Sequence, residues 1–118
     1  MKYLCLIYGD EEKLAALPEE ERAAIGAECE AYCESLKADG RCLGSEALQP
    51  VSAATTIRVR DGRTTVTDGP FAETKEQLGG FYIIDARDLN EAIQIASRIP
   101  PARIGGVEVR PVWEDNPK

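Results

Sequence analysis

The sequence predicts an α+β domain of ferredoxin-like, split β-α-β topology, in which two long helices lie on one face of an antiparallel sheet. Three observations carry this expectation. Apolar runs of strand length recur as KYLCLIY, FYIIDA and GVEVRPVW, and two segments of helical period stand between them. A hairpin and a long polar loop complete the order strand, helix, strand, hairpin, loop, strand, helix, strand. The chain of 118 residues is the size of one domain with one modest core, so 1–118 is read as a single unit. No internal repeat, low-complexity tract or linker interrupts it.

The first strand, Lys2 to Tyr8, is apolar on both alternating faces: Tyr3, Cys5 and Ile7 on one, Leu4, Leu6 and Tyr8 on the other. Such a strand needs cover on both sides. The polar stretch GDEEKLAAL leads to Pro18, where PEEER places proline and acids in a first helical turn. From there a helix is expected to about Asp39, with Ile25, Cys29, Tyr32 and Leu36 at helical spacing and Gly40 as the terminating residue.

RCLGSEAL reads as a short strand, and SAATTIRVR and RTTVTD form a hairpin about an Asp61-Gly62 turn. FYIIDA is a strand buried on both faces. In ARDLNEAIQIASRI, Asp88 and Glu91 have capping-box spacing, and Leu89, Ala92, Ile93, Ala96 and Ile99 form the apolar stripe before Pro100-Pro101. The last strand has Val107, Val109 and Trp113 on one face and Glu108, Arg110 and Val112 on the other. Helices on one face leave Leu4, Leu6 and Tyr8 bare on the opposite one. A two-fold homodimer, pairing sheet with sheet, is the economical cover.

Charge narrows the partners. Fourteen Lys and Arg stand against 21 Asp and Glu, a net charge of −7, which has the wrong sign for a phosphate backbone, so no nucleic-acid partner is expected. The apolar start is too short to span a bilayer and lacks the basic lead and cleavage site of a signal peptide. No membrane partner and a cytoplasmic location are therefore expected. The four cysteines (Cys5, Cys29, Cys33, Cys42) include no C-x-x-C pair, and the chain has no histidine, so no metal and no cofactor is expected. Cys29 and Cys33 share a helix face and read as small buried hydrophobes in a reducing compartment.

Within Thr67–Ala86, DGPFAETKE followed by LGGFYIIDA closely resembles the signature of the YCII-related, DGPF-type domain family. The opening MKYLCLIY, the RVRDGRTTVTDGPFAETKE segment, DLNEAIQIASRIP and VEVRPV resemble that family in the same order. The resemblance implies a dimeric α/β barrel of ferredoxin-like subunits with a cleft beside the signature loop, encoded in many cases beside an extracytoplasmic-function sigma factor. It implies no particular reaction. One branch of the wider family contains a dehydrochlorinase-like enzyme with a His-Asp pair in the cleft; a chain without histidine cannot use that base.

From the residues themselves, Asp68-Gly69-Pro70 should form a turn, Phe71 should anchor the loop in the core, and Thr74 with Gln77 should cap a short helical turn in TKEQL. Long ordered connections in compact domains commonly bind something. Asp68 and Glu73 are the candidate acid/base carboxylates, and Lys75 is placed to hold an anion or pair with Glu73. Glu108 and Arg110 should project to the dimer side, with Arg110 able to clamp a carboxylate or phosphate in bidentate fashion, as could Arg58 beside Arg60. Tyr8 and Tyr82 could add hydroxyls. Each also has a structural role open to it: Asp68 a turn, Glu73 with Lys75 and Glu108 with Arg110 ion pairs, Arg58 and Arg60 the guarding of an edge strand.

Three functions remain open on these residues. The first is a small-molecule site for an anionic or phenolic metabolite. The second is a regulatory or interaction protein linked to a sigma factor, with an acidic surface meeting a basic partner. The third is a lyase of the dehydrochlorinase kind with carboxylates in place of histidine.

Overall fold

The computed structural model describes residues 1–114. Strand β1 (Lys2–Gly9) is followed by α1 (Glu11–Ala16), α2 (Glu19–Ala38), β2 (Cys42–Ala47), β3 (Thr55–Arg60), β4 (Arg63–Asp68), β5 (Gln77–Asp85), α3 (Leu89–Ser97) and β6 (Gly106–Pro111). The main sheet has the order β2-β5-β1-β6 with every neighbouring pair antiparallel, while β3 and β4 form a separate two-stranded sheet. Because β5 lies between β1 and β2, the first β-α-β unit is split, as the element order requires. The molecule measures 48 × 46 × 20 Å, the short dimension being that of one sheet and one helix layer.

Local chemistry sets most element ends. Gly40, at φ 72°, ends α2, with Gly40 N–H donating to Lys37 O at 3.0 Å and Arg41 N–H to Leu36 O at 2.7 Å, the paired bonds of a Schellman motif. Asp61 (φ 50°) and Gly62 (φ 75°) are both left-handed, as a type I′ hairpin turn demands. Asp88 Oδ1 accepts from Glu91 N–H at 2.9 Å, and Glu91 Oε1 accepts from Arg87 N–H at 2.9 Å. The capping box therefore closes one residue further back than its usual form.

Several expectations are corrected. The GDEEKLAAL stretch contains α1, whose first amides are satisfied by the Asp10 side chain, accepting from Glu12 N–H at 3.0 Å and Lys13 N–H at 3.3 Å. In α3 the buried stripe is Ala92, Ile95 and Ala96, with Ile99 beyond its end, whereas Leu89 and Ile93 are exposed. Trp113 lies past the end of β6 and is 90% exposed rather than facing the helices with Val107 and Val109. No helix among the described residues is long and apolar enough to cross a bilayer.

The core lies between sheet and helices. Tyr3 and Cys5 of β1, Tyr82 and Ile84 of β5, and Cys42 of β2 meet Cys33 and Leu36 of α2 and Ala92, Ile95 and Ala96 of α3, with Ile7, Tyr32, Val107 and Val109 packed around them. Burial in this core, with a smaller contribution from Cys42, pushes the Cys5 thiol up to about 11 from an ordinary 9.0. The unfolded chain therefore releases this proton through pH 9 while the folded chain keeps it. The Cys5 contribution to stability is complete below pH 9 and is lost as pH rises toward 11. Chemical denaturation across that range should show falling stability, and Cys5→Ala should fall less steeply; equal slopes would exclude Cys5 as a source.

Candidate functional site

The sheet face turned away from the helices carries an apolar row across its two central strands. Pairing places Leu4 opposite Ile83, Leu6 opposite Phe81 and Tyr8 opposite Leu78, all half-buried. On the other side of β1, Leu4 pairs with Arg110 and Leu6 with Glu108. Arg110 donates to Glu108 Oε2 through Nε at 2.9 Å and also through its second guanidinium nitrogen. One ion pair is thus set beside an apolar surface, with Tyr8 at its end. Both donors meet one carboxylate oxygen, and a guanidinium in this position can exchange that neighbour for a ligand anion whose two oxygens take the two donors in parallel.

The signature loop and the β3–β4 hairpin form a second group. Gly69, at φ 111°, donates its N–H to Ala54 O at 2.8 Å and accepts from Thr56 Oγ1 at 2.8 Å, so the turn after Asp68 is held against the base of the hairpin. Asp68 itself pairs with Thr55 at the end of β4 and is exposed, as are Glu73 and Lys75. Phe71 is 74% exposed and does not enter the core; the Arg58 guanidinium instead lies 4.8 Å from its ring centroid. An exposed contact of this kind contributes about 0.5–1 kcal/mol, enough to bias the loop without burying it.

TKEQL forms no helical turn. Gln77 is the first residue of β5, paired with Gly9, and its Nε2 folds back to donate to Thr74 O at 2.7 Å, while Thr74 Oγ1 donates to Glu76 O. Gln77 Oε1 accepts from Glu11 N–H at 3.0 Å, and Glu11 Oε2 accepts from Val51 N–H at 3.0 Å. This clasp ties the loop exit to the start of α1 and to the turn before the hairpin. Its members are 66 and 40 residues apart, so no local spacing announces Glu11 as a positioning residue.

The YCII-related domain model matches residues 1–116. The chain belongs to the YCII-related domain family. An uncharacterized protein of Rhizobium meliloti (strain 1021) is 40% identical to it over 114 residues, covering 95% of this chain and 92% of that protein.

Within this YCII-related chain the sequence candidates divide into three places. Tyr8, Glu108 and Arg110 share the open sheet face, and Asp68, Arg58, Glu73 and Lys75 belong to the hairpin and loop. Tyr82 is apart from both. It faces the helices, donates its hydroxyl to Cys29 O at 3.1 Å and lies with its ring 6.4 Å from that of Tyr32. Burial, then the neighbouring thiols, hold its phenol well above the ordinary range, which keeps it a neutral donor. Tyr82 therefore does not share a sheet face with Tyr8.

Two grooves on the helix side, of about 470 and 780 Å³, contain none of the other seven candidates. Among the described residues, no group of three or more His, Cys, Asp or Glu is arranged to hold a metal ion.

Proposed function

We propose that this YCII-related protein is a cytoplasmic homodimer that closes its open sheet faces into an α/β barrel and binds a small anionic or phenolic metabolite beside the signature loop. The observation that carries the reading is the Glu108–Arg110 pair set against the apolar row of Leu4, Leu6, Phe81 and Ile83 on a face without a second layer. A sheet paired over it would desolvate the guanidinium and make it a stronger anion anchor. Tyr8 would offer a hydroxyl, Arg58 and Lys75 further cationic anchors, and Asp68 or Glu73 a carboxylate for proton transfer should the ligand be turned over. The four free thiols accord with a reducing compartment.

The test joins assembly to binding. Sedimentation should give a dimer for the parent and a monomer for Leu6→Glu, which sets a second carboxylate opposite Glu108. In a thermal-shift screen of organic acids, phenols and phosphates, a ligand at about 100-fold its Kd should stabilise the parent by about 2.7 kcal/mol. That gain should vanish in the Asp68→Asn, Arg110→Ala double variant. A monomeric parent without hits would remove the reading and leave a sigma-factor-linked interaction protein as the one to pursue.

A further inference from the structure

We propose that Cys33 and Cys42 form a peroxide-responsive dithiol, in which a hydroperoxide entering the groove between α2 and β2 oxidises Cys33 and Cys42 then closes on it as a disulfide. Their sulfurs are 3.7 Å apart across the helix–sheet interface, one on α2 and the other at the start of β2. They are already in contact. A bond requires them to approach to about 2.05 Å. The register of β2 is irregular between Cys42 and Gly44, while Cys42 itself stays paired with Ile84, so the closing movement falls on the irregular step.

The two thiols are not equivalent. Cys33 lines the groove of about 780 Å³ together with Ser45, Lys37, Gly80 and Tyr82, whereas Cys42 is not among its lining residues. Gly80 has no room for a side chain beside β2, since a Cβ there would lie 2.9 Å from Glu46 O. Ser45 Oγ is 3.0 Å from Cys33 Sγ and can donate to a thiolate, while Lys37, one turn further along α2, is paired with Glu34 at 3.5 Å in a groove that Glu30 and Glu46 also line. Cys42 donates to Gly44 O at 3.5 Å. Both residues are buried, at 7% and 6% exposure, and Cys33 is the one that borders the groove, so the attack is assigned to Cys33 and the resolving step to Cys42.

Cys29 also lines the groove, but it is one helical turn from Cys33. Side chains at that spacing have Cβ atoms about 5–6 Å apart, whereas a disulfide needs about 3.5–4.5 Å. The partner of Cys33 is therefore across the interface rather than along the helix.

The chemistry balances with the peroxide as sole oxidant. The Cys33 sulfur attacks the O–O bond, forming S–O and breaking O–O, and the leaving oxygen takes the Cys33 proton and departs as water or an alcohol. The Cys42 sulfur then attacks the Cys33 sulfenic acid, S–O breaks, and the hydroxyl leaves as water with the Cys42 proton. Two electrons pass from the thiols to one peroxide. The product staples α2 to β2 on the helix side of the sheet, opposite the face assigned to dimerisation, so this inference stands apart from the ligand reading.

Reduced full-length protein treated with equimolar hydrogen peroxide, quenched by alkylation and then denatured, should fall from its four free thiols to two. Peptide mapping should join Cys33 to Cys42, and dithiothreitol should restore all the thiols. With Cys42→Ser, oxidation should stop at a Cys33 sulfenic acid that dimedone traps; with Cys33→Ser, the same dose should leave the thiols intact. Retention of four thiols by the parent, a bond between any other pair, or oxidation of Cys29 alone would overturn the proposal. The parent mapping decides even if a variant fails to fold.

Discussion

Replacing Ile84 by alanine should cost the domain about 2–5 kcal/mol, a large part of the roughly 5–15 kcal/mol that holds a domain of this size together. Ile84 is fully buried in β5, with Tyr3 its partner on β1 and Cys42 its partner on β2, so it stands where the two central strands and an edge strand meet the helices. Removing its outer carbons forfeits transfer energy and leaves a cavity among side chains fixed by three strands. Ile57, on the hairpin and 63% exposed, is the control. Its alanine variant should change stability by no more than about 0.5 kcal/mol. Urea unfolding of both reads the difference, and a similar loss in the two would mean that Ile84 is not a core residue in solution.

Gly105→Ala should cost about 1–3 kcal/mol for a different reason. A Cβ at this position would overlap the Tyr8 carbonyl oxygen and come within 3.1 Å of Gly9 Cα, so the backbones of β1 and the approach to β6 would have to separate. The next glycine meets no such obstacle, since a Cβ on Gly106 has nothing within 4 Å. Gly106→Ala should therefore be the milder change, and equal losses would refute close approach as the cause. The pair also bears on the candidate site. Tyr8 is paired with Gly106, and the same ladder sets Glu108 opposite Leu6 and Arg110 opposite Leu4. A displaced Gly105 should weaken ligand stabilisation beyond the loss of fold stability.

Features that depend on one residue's backbone freedom or on neighbours three or four positions away were legible. The Asp61-Gly62 turn, the Gly40 helix end and the Asp88–Glu91 cap all belong to this kind. Which way a two-sided strand faces was not. In FYIIDA both alternating sets are apolar, so Tyr82 could be placed on either face; its pairing with Cys5 turned it to the helices. Phe71 looked like an anchor because it is large and apolar, but its loop passes beside Arg58 instead of over the core. In TKEQL the capping-box spacing competed with the β1–β5 ladder, and the ladder took Gln77. For the site, residues on one strand could be grouped by alternation, which brought Glu108 and Arg110 together. The long-range clasp of Glu11 with Gln77 and Val51, which ties the loop exit to α1, is encoded by no periodicity.

The route from β2 to β5 has a consequence for how this scaffold can vary. These strands are direct neighbours, Ala47 pairing with Gly80, and Leu48 N–H donates to Gly79 O at 2.8 Å, so a tight turn could have joined them. Instead the chain leaves at Leu48, builds the hairpin and signature loop as a sheet of its own, and returns where it left. The excursion is a closed graft on a finished frame. Doubling the length of such a loop adds only about 0.6 kcal/mol to its closure cost, so it can be lengthened, trimmed or exchanged without rethreading a strand. A variant of this chain with a longer or exchanged hairpin should therefore keep its four-stranded frame and core.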